Sequence, residues 1–241
     1  MKYLVDLHTH TLASGHAYST ISEMAQTASD RGLKLLGITE HAIKMPGTCQ
    51  IFYFHNLKVV EREQYGIKLL MGAELNVIDY EGNVDLDKST LAKMDICVAS
   101  FHIPCIKPGT IEENTQSACQ VMENPYVAIL GHPDDGRYPF DYETLVLKAK
   151  ETETILELNN SSVSPVSFRS NARENDIIML NFCKKYGVEV VVDSDAHVAS
   201  QVGNHQYAEE ILKEVHFPEE LLLNDKPEKI LEKINRKRAG L

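Results

Sequence analysis

The chain has 241 residues, with 24 Lys and Arg against 35 Asp and Glu and a formal net charge of −11 at pH 7. This acidic balance disfavours nonspecific binding to a nucleic-acid backbone or an anionic membrane. The five cysteines form no C-x-x-C pair, and no apolar run approaches the ~18 residues of a membrane span. We therefore expect a cytoplasmic protein and, because no Pro- or Ser-rich linker divides the chain, a single domain over residues 1–241.

Seven apolar segments predict strands, and amphipathic patterns between most of them predict helices. The predicted strands cover residues 2–7, 34–39, 67–74, 95–101, 126–131, 154–159 and 188–193. The first helix begins in a capping-box pattern at residues 19–23 and ends near Gly32. Further helices are predicted at residues 51–64, 111–123, 141–150, 171–186, 205–214 and 226–237. A hairpin is predicted over residues 77–86. This alternation indicates an α/β fold with a parallel sheet.

Histidine or carboxylate residues lie at the ends of six of these strands. Successive side chains of a strand point to opposite faces, so His8 and His10 share one face and can bind one ion. Asp195 and His197 have the same spacing. The other strand-end residues of these types are His41, Glu74, His102 and His132. Imidazole and carboxylate groups suit zinc, manganese or iron. Only a closed or nearly closed sheet brings six strand ends together, so the pattern predicts a barrel with a polynuclear hydrolase site.

These motifs resemble the PHP family of metal-dependent phosphoesterases, named for polymerase and histidinol phosphatase. The matching segments are Asp6–Thr11, Gly37–His41, Gly72–Glu74, Ser100–His102, Leu130–Pro133 and Asp193–His197. They span nearly the whole chain in the expected order. A closer similarity to the YcdX-like branch of small stand-alone phosphatases rests on His16–Thr20, Asn114–Gln116 and Glu157–Ser162.

The resemblance implies a distorted seven-stranded β/α barrel, TIM-like in outline, with three divalent ions that are most often zinc, with Mn²⁺ or Fe²⁺ as alternatives. By that correspondence one ion is held by His8, His10, Glu74 and Asp195. Glu74 bridges to a second ion held by His102 and His132, and the third is held by His16, His41 and His197. The departure is Glu40, where many relatives have Asp, and its extra methylene changes which neighbours it can reach.

Adjacent metal ions can position water and hold the charge of the phosphoryl oxygens, which are the two needs of phosphate ester hydrolysis. We expect a metal-bound hydroxide as the nucleophile, Glu74 as a bridging carboxylate and a small phosphorylated metabolite as the substrate. Candidate phosphate contacts are Lys107, Arg169 and Arg173, each weighed against an ordinary surface charge. Asp6 lies one step deeper on its strand than the histidines, which favours a structural role.

Three alternatives stay open. A phosphodiesterase or exonuclease acting on nucleotides would use the same cluster, although the acidic balance and the absence of Trp weaken it. A noncatalytic metal-stabilised binding domain would favour a closed, cysteine-rich site. A metal-dependent amide hydrolase could share the barrel and its histidines. We expect no membrane partner and favour no nucleic-acid partner, and a homo-oligomer is left open.

Overall fold

The computed structural model describes residues 2–239 of the chain. Met1, Gly240 and Leu241 belong to the predicted domain 1–241 but lie outside the described residues, and the single-domain organisation stays a prediction. Within residues 2–239 one sheet contains β1 Val5–Asp6, β2 Leu35–His41, β3 Glu63–Gln64, β4 Ile67–Asn76, β5 Ile96–Ser100, β6 Ile129–Leu130, β7 Ile155–Asn159 and β8 Val190–Asp193. The predicted strands are confirmed in position, although β1 and β6 are only two residues long.

Helices connect or follow most of these strands. They are α1 Ile21–Asp30, α2 Ile51–Asn56, α3 Lys88–Leu91, α4 Ile111–Glu123, α5 Tyr142–Glu151, α6 Ala172–Tyr186, α7 Gln206–Glu214 and α8 Pro227–Arg238. Thr20 and Glu23 form the predicted capping box of α1, in which each side chain accepts a hydrogen bond from the backbone N–H of the other residue. No helix in the part of the chain that the structure describes is long and apolar enough to cross a membrane.

The predicted helix 51–64 is wrong in its second half. After α2 and a short 3-10 turn, Glu63–Gln64 forms a strand antiparallel to β4. Tyr65 and Gly66 both have positive φ, at 51° and 74°, and form the tight connection between the two strands. The predicted hairpin over 77–86 is confirmed by an antiparallel bridge between Val77 and Val84.

The sheet order is β1-β2-β4-β5-β6-β7-β8, with all these neighbours parallel. One buried cluster takes an aliphatic side chain from each of these strands: Val5, Leu35, Leu70, Ile96, Ile129, Ile155 and Val191. Side chains from every strand can meet in one cluster only if the sheet curves round on itself. Ile230 and Ile234 of α8 pack against the same cluster. The fold is therefore a distorted, nearly closed β/α barrel with helices outside it.

The seam between β1 and β8 is closed mainly by side chains. Leu7 N donates to Asp193 Oδ1 at 2.6 Å, and Ser194 N donates to Asp6 Oδ1 at 3.0 Å. Asp6 is thus a structural residue, as predicted. Asn224 reaches into the same seam, where its Oδ1 accepts from Val192 N at 2.8 Å and its Nδ2 donates to Val192 O at 2.7 Å. These amide and carboxylate groups replace hydrogen bonds that a regular ladder would make.

Candidate metal centre

Glu74 lies at the centre of a group of histidines at the carboxyl ends of the strands. The β2–β4 register places His41 directly opposite Glu74, and Glu74 is fully buried. Glu74 Oε1 lies within 3.3 Å of one nitrogen from each of three rings, those of His8, His102 and His132. Its Oε2 lies 2.6 Å from His41 Nδ1 and 3.6 Å from His10 Nε2. The two oxygens of one carboxylate therefore face two different sets of imidazoles.

The remaining predicted ligands complete the group. Asp195 Oδ1 lies 3.3 Å from His10 Nε2 and 3.6 Å from His197 Nδ1. His16 Nε2 lies 3.1 Å from His41 Nε2, and its ring stacks against that of His197 with the ring centroids 5.0 Å apart. The structure thus brings all nine predicted side chains into one cluster: His8, His10, His16, His41, Glu74, His102, His132, Asp195 and His197.

Behind His8 lies Glu157, a residue of β7 that the sequence analysis assigned no role. Glu157 Oε1 is 2.7 Å from His8 Nδ1, and both side chains are fully buried. A carboxylate accepts only, so the proton of His8 lies on Nδ1 and its Nε2 points toward Glu74 and Asp195. Such a partner fixes the tautomer and orientation of a metal-binding imidazole.

His10 is oriented by a relay that ends on Glu40. Ser14 Oγ donates to Glu40 Oε2 at 2.6 Å, so it accepts from His10 Nδ1, 3.0 Å away, and leaves His10 Nε2 free to face the cluster. Glu40 also accepts from Thr11 N and from Thr11 Oγ1 at 2.5 Å. The side chain at position 40, which is longer than the Asp of many relatives, therefore reaches both Thr11 and Ser14 and holds the loop after His10.

His102 is oriented in the same way by Asn76. Asn76 Nδ2 donates to Asp85 Oδ2 at 2.7 Å and to Ala42 O, so its Oδ1 is the atom that accepts from His102 Nδ1 at 2.8 Å. His102 Nε2 is then the nitrogen that faces Glu74 Oε1, at 3.2 Å. Neither Asn76 nor Asp85 carried a motif in the sequence.

Two predicted ligands lie on unusual backbone. His132 has a φ of 28° and Asp195 a φ of 52°, both in the left-handed region that side chains other than glycine rarely adopt. The loop that carries His16 is also tightly packed, because a Cβ on Gly15 would lie 1.9 Å from Gly47 O. Strained backbone of this kind occurs mainly where a function requires the conformation.

The donor atoms fit divalent metal ions. Among the buried side-chain atoms that lack a hydrogen-bond partner within residues 2–239, four face one another in the cluster: His8 Nε2, His10 Nε2, His41 Nδ1 and Glu74 Oε2. Three overlapping groups have ligand atoms within 4.8 Å of one another: His8, His10 and Glu74; His41, Glu74 and His102; and His10, His41 and His197. Buried lone pairs that converge without donors are costly unless a cation lies among them. Imidazole and carboxylate donors suit zinc, manganese and iron.

Electrostatics keep most of these groups in the protonation state that a metal requires. Burial alone would raise the pKa of Glu74, but His102, His8 and His41 hold that pKa well below its usual value. Burial, with His41 and His197 nearby, lowers the pKa of His16 to about 4. His8 is an exception, since burial would lower its pKa but Glu157, Glu74 and Asp195 raise it. A metal ion at His8 would therefore displace a proton.

The family model described as "PHP domain" matches residues 6–236. The chain belongs to the PHP family. The resemblance predicted from the motifs is thus confirmed over nearly the whole chain.

Related PHP proteins carry a phosphatase name. A Clostridium novyi protein named "Probable phosphatase" is 48% identical over 231 residues, covering 96% of this chain and 94% of its own length. A Clostridium botulinum protein of the same name is 47% identical over 237 residues, covering 98% of this chain and 96% of its own length. A solved histidinol phosphate phosphatase of Lactococcus lactis, complexed with zinc, L-histidinol and phosphate, has a TM-score of 0.59 at 14% identity and covers 90% of this chain and 95% of that one. At this identity the structural likeness shows the barrel fold.

Five of the nine clustered side chains of this PHP protein line a cleft of about 600 Å³: His16, His41, His102, Asp195 and His197. Of the three predicted phosphate contacts, Arg169 lines this cleft. Its Nη1 donates to Ser162 Oγ at 2.8 Å, and its Nη2 lies 3.3 Å from Asp195 Oδ2. A guanidinium held beside a cluster residue can turn its remaining N–H groups toward a phosphoryl oxygen.

Lys107 and Arg173 are not among the described residues that line the PHP cleft. Arg173 pairs with Glu214 of α7 on the outside of the barrel, and Lys107 is exposed. Arg137, which the sequence analysis did not select, does line the cleft. It pairs with Asp135, and its guanidinium carbon lies 5.0 Å from the centre of the Phe168 ring.

Proposed function

We propose that this protein is a metal-dependent phosphatase that hydrolyses the phosphate monoester of a small metabolite. In this proposal three divalent ions, most often zinc, are held by the nine clustered side chains, with Glu74 as the bridging carboxylate. The observation that carries the proposal is the convergence of imidazole nitrogens on the two oxygens of one buried carboxylate. The relatives named as phosphatases support the reaction class.

The side chains of the site have three different roles in this proposal. Glu157, Ser14 and Asn76 turn the imidazoles of His8, His10 and His102 so that Nε2 faces inward. Glu74 keeps two sets of ligands at a constant spacing, because its two oxygens belong to one rigid group. Arg169, which lines the cleft beside Asp195, offers donors to the phosphoryl group. The bound ions would lower the pKa of a water ligand and stabilise negative charge on the phosphoryl oxygens.

The substitution Glu74→Gln tests the central carboxylate. It removes a charge and one acceptor without removing bulk, so we expect activity to fall by at least ~100-fold, the upper range seen for groups that hold or orient a metal. The readouts are phosphate release and metal content by elemental analysis. Glu151→Gln is the matched control, because its side chain is 71% exposed in an ion pair on α5. Wild-type turnover by the Glu74→Gln variant would refute the proposal.

Metal removal gives an independent test. Chelation is expected to suppress turnover, and zinc or manganese is expected to restore it. Full activity in protein shown to be metal-free would overturn the mechanism. A screen of the metal-loaded protein against phosphorylated metabolites, with oligonucleotides included, separates the phosphatase from a phosphodiesterase and from a noncatalytic domain.

A further inference from the structure

The outer half of the cleft is apolar and exposed. We define the outer wall as Ile103, Pro104, Val166 and Phe168, which all line the cleft. Val166 is 88% exposed, Phe168 75% and Ile103 43%. Exposed apolar side chains that line one concave site are typical of a surface that binds an apolar ligand group.

The outer wall is continuous with the phosphate end of the cleft. Phe168 directly precedes Arg169, whose guanidinium carbon lies 5.7 Å from the centre of the Phe168 ring. The guanidinium of Arg137 lies 5.0 Å from the same ring centre, and Asp135 holds that guanidinium from the other side. Two cationic contacts restrain a ring that is otherwise solvated. A molecule whose phosphate lies beside Arg169 therefore presents its other end to the outer wall.

The charges of the cleft also favour an apolar group at this end. Asp195 and the two arginines are the only carboxylate or Lys/Arg side chains among the described lining residues, and Asp195 belongs to the metal cluster. Ser161, Ser164 and Gln201 of the cleft also line an adjoining polar pocket of about 220 Å³, which shares Val166 with the outer wall. A leaving group rich in hydroxyls would find hydrogen-bonding side chains in that polar pocket, whereas the side chains of the outer wall offer none.

We propose that the outer wall is the leaving-group subsite and that the preferred substrate is the phosphate monoester of an apolar alcohol with a group about the size of a phenyl ring. This inference rests on the proposed function. In the reaction the bond from phosphorus to the alcohol oxygen breaks, the oxygen of water forms the new bond to phosphorus, and the alcohol leaves with a proton. Phe168 and Val166 set the specificity by covering the carbon skeleton.

The kinetic test compares three esters of primary alcohols: 2-phenylethyl phosphate, ethyl phosphate and 2-hydroxyethyl phosphate. For the wild type we expect kcat/KM for the phenylethyl ester to exceed that for the ethyl ester by ~10–100-fold, the range that apolar pocket contacts give. Phe168→Ala lowers this ratio by about 10-fold, and Phe168→Leu restores part of it. Phe52→Ala is the control, because Phe52 is also 75% exposed but does not line the cleft.

A binding test works without turnover. The metal-loaded protein is titrated calorimetrically with 2-phenylethylphosphonate and with ethylphosphonate, which cannot be hydrolysed. We expect tighter binding and a more negative heat capacity change for the phenylethyl compound, with both differences lost in Phe168→Ala. Equal binding of the two phosphonates overturns the inference even if the protein hydrolyses neither ester.

The outcomes distinguish this inference from the proposed function. Hydrolysis of all three esters at similar kcat/KM overturns the assignment of the outer wall as the leaving-group subsite. The proposed phosphatase function would still stand. A preference for 2-hydroxyethyl phosphate that is lost in Gln201→Ala assigns the leaving group to the polar pocket and also overturns it. No hydrolysis of any ester or of other phosphate monoesters overturns the proposed function, and the phosphonate titration still tests the outer wall.

Discussion

Glu157 satisfies three donors with two oxygens, and Glu157→Gln removes this capacity without changing the shape of the side chain. Oε1 faces His8 Nδ1 at 2.7 Å, while Oε2 accepts from His132 N at 2.5 Å and from Asn159 Nδ2 at 3.1 Å. Glutamine has one acceptor oxygen and one NH₂ group. Whichever way the amide turns, its NH₂ faces a donor. If the NH₂ faces His8, the imidazole must accept at Nδ1 and carries its proton on Nε2, the nitrogen aimed at the metal cluster.

The strengths of these hydrogen bonds give the expected loss of metal-binding free energy in Glu157→Gln. A buried hydrogen bond to a charged group contributes ~1.5–3 kcal/mol, and a buried donor left unpaired costs ~1–3 kcal/mol. Since each ~1.4 kcal/mol is a factor of ten, the lower values weaken metal binding at His8 about tenfold, and the upper values reach ~100-fold. The change is therefore measurable although Glu157 is not among the nine clustered ligands.

The assay is a competition titration of zinc between the protein and a chromogenic chelator, with far-UV circular dichroism to confirm the fold. Glu189→Gln is the control, because Glu189 pairs with Lys233 at 3.0 Å outside the cluster. We expect zinc affinity to fall ~10–100-fold in Glu157→Gln and to stay unchanged in the control. Wild-type zinc affinity in Glu157→Gln would show that the charge of Glu157 does not set the tautomer of His8.

Two further predictions concern stability. Asn224→Ala leaves both the N–H and the C=O of Val192 unpaired inside the seam, so we expect urea unfolding to show a loss of ~2–4 kcal/mol, and a loss below ~0.5 kcal/mol would contradict the role of Asn224. Lys237 Nζ donates to Met122 O at 2.7 Å and to Thr152 O at 3.2 Å, and Lys237→Met removes these hydrogen bonds together with the titrating amine. Burial lowers the pKa of Lys237 to about 7, whereas an unfolded lysine keeps its proton to about pH 10. The free energy of unfolding of the wild type therefore rises relative to that of Lys237→Met between pH 7 and 9, by up to ~1.4 kcal/mol per pH unit. A fall of this difference over the same pH range would contradict the prediction.

Eight of the nine clustered side chains were predictable because their signals are local, whereas His16 followed only from the family resemblance. A histidine pair two residues apart at the end of an apolar run implies a shared face without any knowledge of the rest of the chain. The groups behind them were not predictable in this way. Glu157 meets His8 across 149 positions of sequence, and Asn76 meets His102 across 26. The signals for Glu157 are a charged residue inside the apolar run of β7 and its place in the segment Glu157–Ser162, and neither of them names His8 as its partner.

The fold shows the same contrast between local pattern and long-range pairing. The first half of the predicted helix 51–64 is present as α2, but the second half contains the short strand β3. Tyr65 and Gly66 have left-handed conformations that turn the chain so that β3 pairs with β4. Arg169 was found as a candidate because it follows a barrel strand, whereas Arg137 comes to the cleft through a loop whose path the sequence pattern does not predict. Loop paths depend on tertiary contacts more than on residue periodicity.

The seam also has a consequence for how the protein is made. β1 carries the first two histidines, yet its partner β8 and the sealing residue Asn224 come at the other end of the chain. A ribosome adding ~5–20 residues per second exposes His8 and His10 many seconds before Asp195 and His197 exist. The nascent chain therefore contains seven of the nine clustered side chains before the last two are translated. The last strand closes the barrel and completes the cluster in the same step.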